Sequence, residues 1–206
     1  MEHGLFIVSA PSGAGKTSLV QALVEQSEAV GVVVSHTTRP IRDGEVDGVN
    51  YHFETRASFE AMIAAGEFVE HAEVFGNLYG TSRAAVETVV TGGQHAILEI
   101  DWQGAAQVRR ESTKARSIFI LPTSIEELRR RLMRRGQDDQ TTIEHRMGDA
   151  KTELSHYHEF DYVVVNDNFD DALAELQSIA AGAGEGLRLD ARRTYLAPLL
   201  EDLLAT

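Results

Sequence analysis

The sequence predicts an α/β fold in which a parallel sheet is covered by helices on both faces, and three observations carry that reading. Short apolar runs of strand length alternate with helical patterns from Leu5 to Ala181. Those runs (LFIV, VVV, AILEI, SIFIL and YVVV) are nearly continuous in hydrophobicity, as strands buried on both faces require. At 206 residues and 43% hydrophobic, the chain is long enough to bury a full core as one compact domain with mobile insertions.

Taken in order, Leu5–Val8 is the first buried strand, and residues 16–26 follow as a helix marked by Leu19, Leu23 and Val24. Val32–Val34 is the second strand. From there to about residue 80 the texture changes to polar turns, the helix-like RASFEAMIAAG, and the strand-like FVEHAEVF before the turn GNLYG. This segment reads as a small inserted subdomain. The core pattern then resumes with a helix near 82–90, a strand at Ala96–Ile100, a helix after Gly104 and a strand at Ser117–Leu121. Thr123 and Ser124, each with glutamate three residues on, are candidate caps for IEELRRRLMRR, and Thr141 with Glu144 is a candidate cap for a helix ending near residue 156. Tyr162–Val165 is a last buried strand before the helix FDDALAELQSIAA. Beyond Gly184 and Gly186, residues Leu196, Leu199, Leu200, Leu203 and Leu204 form one stripe of an amphipathic helix. Its polar face is not strongly basic, so packing on the domain or on a second copy is expected rather than membrane contact.

The formal charge of -13 opposes a general nucleic-acid binder, which needs a basic face to displace counterions. It leaves room for a small polyanion held in one basic site. Arginines cluster at Arg39 and Arg42 and again between Arg129 and Arg135. The absence of cysteine excludes disulfides and thiolate metal sites and suits a reducing, cytoplasmic setting. MEHGLFIVSA lacks the basic segment and the length of a signal peptide or membrane span.

SAPSGAGKTS, residues 9–18, lies between a strand and a helix, which is the context a phosphate loop requires. Gly13 and Gly15 permit tight backbone positions, so that successive N–H groups converge on phosphate oxygens. The helix N-terminus that follows adds partial positive charge. Lys16 reaches between the β- and γ-phosphates, and the Thr17 hydroxyl can ligate Mg2+. Ala10 stands where the general motif has glycine, and a glycine-rich turn before an ordinary helix is the alternative reading.

Further along, DWQG at 101–104 matches one segment of small GTPases, but the asparagine-lysine-x-aspartate segment that reads guanine there is absent. Arg39 and Arg42, among turn residues, can clamp one phosphate by charge-assisted bonds or can be plain surface arginines. Tyr51 and Tyr79 offer hydroxyl donors or serve as core. Glu70, in the mostly apolar FVEHAEVF, is either an inward carboxylate in need of donors or a solvated edge-strand residue. No histidine pair has metal-ligand spacing, and His36, His71 and His95 read as packing or surface residues.

Over nearly its whole length the chain resembles the bacterial guanylate kinases. The segments that carry the resemblance are SAPSGAGKT, SHTTRPIRDGEVDGVNYHF, GEFVEHAEVFGNLYGTS, ILEIDWQG, SIFILP, RRLMRRGQD, HRM and VVNDNFD. The second and third together are highly specific to that family. The resemblance implies a P-loop nucleoside monophosphate kinase fold. Its expected core comprises 1–35, 82–124 and 160–185, with a GMP-binding subdomain at 36–81, a lid at 125–159 and a C-terminal helix at 186–206. It implies Mg2+-dependent transfer of the γ-phosphoryl of ATP to GMP. Carried over by residue, the ATP loop is Ala10, Pro11, Ser12, Gly13, Ala14, Gly15, Lys16, Thr17 and Ser18. Ser35, Glu70 and Thr81 would read guanine, and Arg39, Arg42, Tyr51 and Tyr79 would hold the GMP phosphate. Glu99 and Asp101 would lie close to GMP and the metal region. Glu99 stands where the family more commonly has aspartate, one methylene shorter.

The same resemblance likens Arg131, Arg135 and Arg146 to lid arginines that approach the ATP phosphates, and Asn166 to a residue near adenine. Arg131 and Arg135, four apart on one helix face, would repel without ligand. Closure of the inserted region and of this lid would exclude water from the transfer. The rival readings are another nucleoside monophosphate kinase, lacking the Ser35, Glu70 and Thr81 set, and a non-catalytic binding module of the same fold. Intact Lys16, Thr17, Arg39, Arg42 and lid arginines oppose the latter.

Overall fold

The computed structural model describes residues 4–74, 76–134 and 140–205. Its larger sheet has five strands in the order β2 (Val30–Val32), β7 (His95–Glu99), β1 (Leu5–Ser9), β8 (Arg116–Leu121) and β9 (Tyr162–Val165). The apolar runs of the sequence supply these strands, and Ile7, Val8, Leu98, Ile120 and Val163 are fully buried. Pairing is parallel where β2 meets β7, from Val30 opposite His95 to Val32 opposite Ile97, and where β8 meets β9, from Ile118 opposite Tyr162 to Leu121 opposite Val165. The second strand thus begins two residues before the VVV run. Its start is set by the chain on either side: His95 N–H donates to the Ala29 carbonyl at 2.8 Å, and the Gln94 amide donates to Val30 at 3.1 Å.

The chain forms two compact units, one of residues up to Ile7 with Glu28–Ala115 and the other of Val8–Ser27 with Arg116 onward. In the first, residues 36–82 build a sheet of their own, β4 (His52–Phe53), β3 (His36–Thr37), β6 (Asn77–Ser82) and β5 (Phe68–Val74), in that order. Helix α2 (Arg56–Ala64) is capped by Thr55, whose hydroxyl accepts from Ser58 N–H, and it places Phe59 on this sheet. Phe59 stacks on Phe68 with centroids 4.5 Å apart and closes a small core with Leu78. Burying an aromatic of this size stabilises by about 2–3 kcal/mol, a useful sum for so small a sheet. Helix α3 (Arg83–Thr91) starts from a Ser82 cap and α4 (Trp102–Glu111) from an Asp101 cap. The latter helix therefore begins two residues before Gly104.

In the second unit α1 (Lys16–Gln26) packs against α7 (Phe169–Ala180), whose N-cap is Asn168. Ser124 caps α5 (Ile125–Arg134) by accepting from Glu127 N–H at 3.0 Å. Helix α6 (Gln140–Ser155) already includes Thr141, which is thus part of the helix rather than its cap. Leu128 and Leu132 of α5 pack on Ile143, Met147 and Ala150 of α6, giving these two helices an apolar seam. The last helix, α8 (Leu189–Leu204), is longer than its leucine stripe. Leu196 and Leu203, seven apart, are fully buried, but Leu204 is 40% exposed, because it falls one residue past the buried face. No described helix is long and apolar enough to cross a membrane.

Candidate functional site

The phosphate loop follows β1 directly, and its two glycines are required by the backbone. Gly13 and Gly15 hold φ of 94° and 96°, a left-handed conformation that side chains rarely adopt. Space agrees: a Cβ on Gly15 would meet the Asn166 amide nitrogen at 2.4 Å. The loop closes on itself through Ala14 N–H to the Pro11 carbonyl at 3.0 Å, and α1 starts at Lys16. Ala10, where glycine is more usual, is half-buried in this turn.

Neighbouring elements of the same unit hold the loop from outside. Asn166, 4% exposed at the end of β9, donates its side-chain amide to the Ala14 carbonyl at 2.7 Å. Arg131 donates to that carbonyl at 3.2 Å and to the Asn166 carbonyl at 3.4 Å. Arg146 donates to the Ser12 hydroxyl at 2.6 Å. Two of the expected ATP residues, Arg131 and Asn166, thus meet at one loop carbonyl. Arg135 lies outside the described residues.

Arg131 also has an acidic partner on its own helix. Its Nε donates to Glu127 at 2.6 Å, one turn earlier on α5, and Arg130 shares the same carboxylate. These two guanidinium groups hold Glu127 down to about 2, well below the usual carboxylate range, so it stays ionised and partners Arg131.

The first unit assembles the other expected residues. In the antiparallel ladder of β5 and β6, Glu70 stands opposite Thr81, so both side chains project to one face. The register shifts between Phe68 and Glu70, a bulge that re-aims the strand at Glu70. Because His36 pairs with Gly80, Ser35 reaches the next residue, and the Ser35 and Thr81 hydroxyls lie 3.1 Å apart. Glu70 is 4% exposed, which decides against a solvated edge residue.

Arg39 lies 5.5 Å from the Tyr51 ring centroid, and Tyr51 packs edge-on to Tyr79 at 6.0 Å. Burial, with the charges of Tyr79 and Glu99, pushes the Tyr51 phenol up to about 12, so it remains a donor. Arg39 also donates to Glu45 at 2.7 Å, and Glu45 accepts from Arg42 N–H at 2.8 Å through its other oxygen. Burial opposes the charge on Arg39, but Glu45 outweighs it and raises the guanidinium pKa. Arg42 itself is exposed. Glu99 is the half-buried last residue of β7. Asp101 is committed to the start of α4, accepting from Gly104 N–H at 2.8 Å and from the Gln103 amide at 3.1 Å.

Two residues escaped the sequence reading. Glu45 accepts from the Arg39 side chain and from the Arg42 main chain, and Glu153 of α6 accepts from Ser12 N–H of the phosphate loop at 3.0 Å. Glu45 had a faint signal in its position three residues after Arg42; Glu153, on a polar helix, had none. For a metal, the fitting donor is the exposed Thr17 hydroxyl at the N-terminus of α1, an oxygen ligand of the kind Mg2+ takes when phosphates supply others.

The guanylate kinase family model matches residues 2–182. A guanylate kinase of Alkalilimnicola ehrlichii is 60% identical over 204 residues, spanning 99% of this chain and 100% of that one. One from Vibrio cholerae is 53% identical over 203 residues, spanning 98% and 97%. The crystal structure of guanylate kinase from Anaplasma phagocytophilum superposes with a TM-score of 0.73 at 34% identity, covering 97% of this chain and 94% of the other.

Proposed function

This chain belongs to the guanylate kinase family and is an ATP:GMP phosphotransferase, and from that premise we propose how its residues divide the work. The loop Ala10–Ser18 holds the ATP phosphates, with Lys16 between the β- and γ-phosphates and Arg131, Arg135 and Arg146 completing the charge on that side. Asn166 keeps the loop in register through Ala14. Mg2+, when bound with ATP, supplies further charge neutralisation, and Thr17 is the residue that would hold it.

Ser35, Glu70 and Thr81 read the guanine, and Arg39, Arg42, Tyr51 and Tyr79 hold the GMP phosphate. Glu99 and Asp101 border that site. The acceptor phosphate is already ionised and is its own nucleophile, so no side chain has to remove a proton from it. What the protein contributes is placement in line, masking of charge on donor and acceptor, and exclusion of water that would otherwise hydrolyse ATP. Tyr51 suits its part because a phenol that stays protonated donates to a phosphate oxygen. Glu45 fixes one edge of Arg39, leaving the guanidinium oriented before the phosphate arrives.

The observation that carries this reading is the meeting of Ser35, Glu70 and Thr81, far apart in sequence, on one small sheet. A buried carboxylate there matches the N1–H and 2-amino donors of guanine. Glu70→Gln replaces one accepting oxygen by a donor, which costs on the order of 1–3 kcal/mol. Its preference for GMP over IMP, which lacks the 2-amino group, should fall about tenfold or more in kcat/KM. An unchanged GMP-to-IMP ratio in the variant would contradict the assignment.

A further inference from the structure

We infer that Gly104, by having no side chain, sets where Glu70 holds its carboxylate and is therefore a specificity-determining position for the purine base. The inference rests on the reading of Glu70 as the guanine-reading group. Glycine is not needed at 104 for backbone reasons. The residue lies in the first turn of α4 and has no positive φ. Alanine there would favour the helix by about 1 kcal/mol.

What the missing side chain leaves is space, and Glu70 fills it. A Cβ on Gly104 would lie 2.4 Å from Glu70 Oε2, 3.1 Å from its Cδ and 3.4 Å from its Cγ. The three nearest atoms all belong to Glu70, so a methyl at 104 meets that side chain first and displaces the carboxylate. One turn later the same helix fixes the neighbouring backbone. Gln107 donates its amide to the His71 carbonyl at 2.7 Å, and its oxygen accepts from His71 N–H at 3.2 Å. In this way Gln107 completes the pairing of an edge strand, as a neighbouring strand would. Helix α4 therefore clamps the main chain beside Glu70 with residue 107 and makes room for its side chain with residue 104. Asp101 fixes the height of that turn by capping Gly104 N–H.

The test uses the enzyme and four variants, Gly104→Ala, Glu70→Asp, those two together, and Glu70→Gln. Gly104→Ala should raise the KM for GMP about tenfold and lower the GMP-to-IMP preference. The KM for ATP should hold, because the displaced group lies in the acceptor site. Glu70→Asp draws the carboxylate back from the added methyl. The double variant should therefore show a smaller rise in KM for GMP than the product of the two single effects. A parent-like KM for GMP in Gly104→Ala, or fully multiplicative effects in the double variant, would overturn the inference. If Glu70→Gln changes the GMP-to-IMP ratio while Gly104→Ala is silent, only the role of Gly104 fails. If Glu70→Gln is itself silent, the reading of Glu70 fails and this inference with it.

Discussion

Lys16→Ala should lower kcat by about 100- to 1,000-fold while leaving the fold intact. Removing one preorganised group aimed at developing charge has an effect of that order. Lys16 is the first residue of α1, half-buried beside Gly15, and the buried residues of that helix are Leu19, Val20 and Leu23. The substitution thus spares the packed face, and alanine is at least as good a helix former as lysine. Circular dichroism and the melting temperature should match the parent, and the loss should appear in turnover. A parent-like kcat with an unchanged spectrum would show that Lys16 does not act on the phosphates.

Arg39→Ala should raise the KM for GMP by about thirtyfold or more, for two reasons that act together. It removes a guanidinium from the proposed phosphate clamp, and it leaves the Glu45 carboxylate without its partner at 2.7 Å. Truncating one member of a hydrogen-bonded charge pair across a binding interface, here the guanidinium and the GMP phosphate, costs about 2–5 kcal/mol, which sets the size of the change. Arg39→Lys should recover little of it. The guanidinium donates at once to the Pro40 carbonyl and to Glu45, a fork that an ammonium cannot reproduce. The KM for ATP is the internal control and should stay near the parent value. A KM for GMP within about twofold of the parent in Arg39→Ala would remove Arg39 from the site.

The phosphate loop was legible because everything that makes it lies within one short stretch, Leu5 to Thr17: a buried strand, two glycines with positive φ, and the lysine and threonine that open a helix. The parallel strands were legible for a similar reason, since burial on both faces leaves an apolar run. The proposed guanine-reading set was not legible from pattern. Ser35, Glu70 and Thr81 were named through family resemblance, because their meeting depends on register, and register here includes a bulge between Phe68 and Glu70 that no period-2 pattern shows. Charge arguments suffered from the same lack of distance information. Arg131 has a partner, Glu127, four residues earlier on the same helix, which the sequence reading did not assign to it. Glu45 and Glu153 were lost among 32 acidic residues, since a carboxylate that orders a loop has no sequence mark distinguishing it from one that faces solvent. Gly104 is the plainest example: a missing side chain has meaning only once the atoms that occupy its place are known.

The measurement that bears most directly on the central claim is coupled ADP release by the unmodified enzyme, with ATP and Mg2+ fixed and GMP, IMP and AMP offered in turn as acceptor. Glu70 can pair with both N1–H and the 2-amino group of guanine. IMP offers only the first of these, and AMP neither in the same form. Losing one buried partner costs on the order of 1–3 kcal/mol, so kcat/KM for GMP should exceed that for IMP by about tenfold or more. AMP should be poorer still. Equal turnover of GMP and AMP would contradict the account, because a site built around the buried Glu70 carboxylate would then not be reading the base.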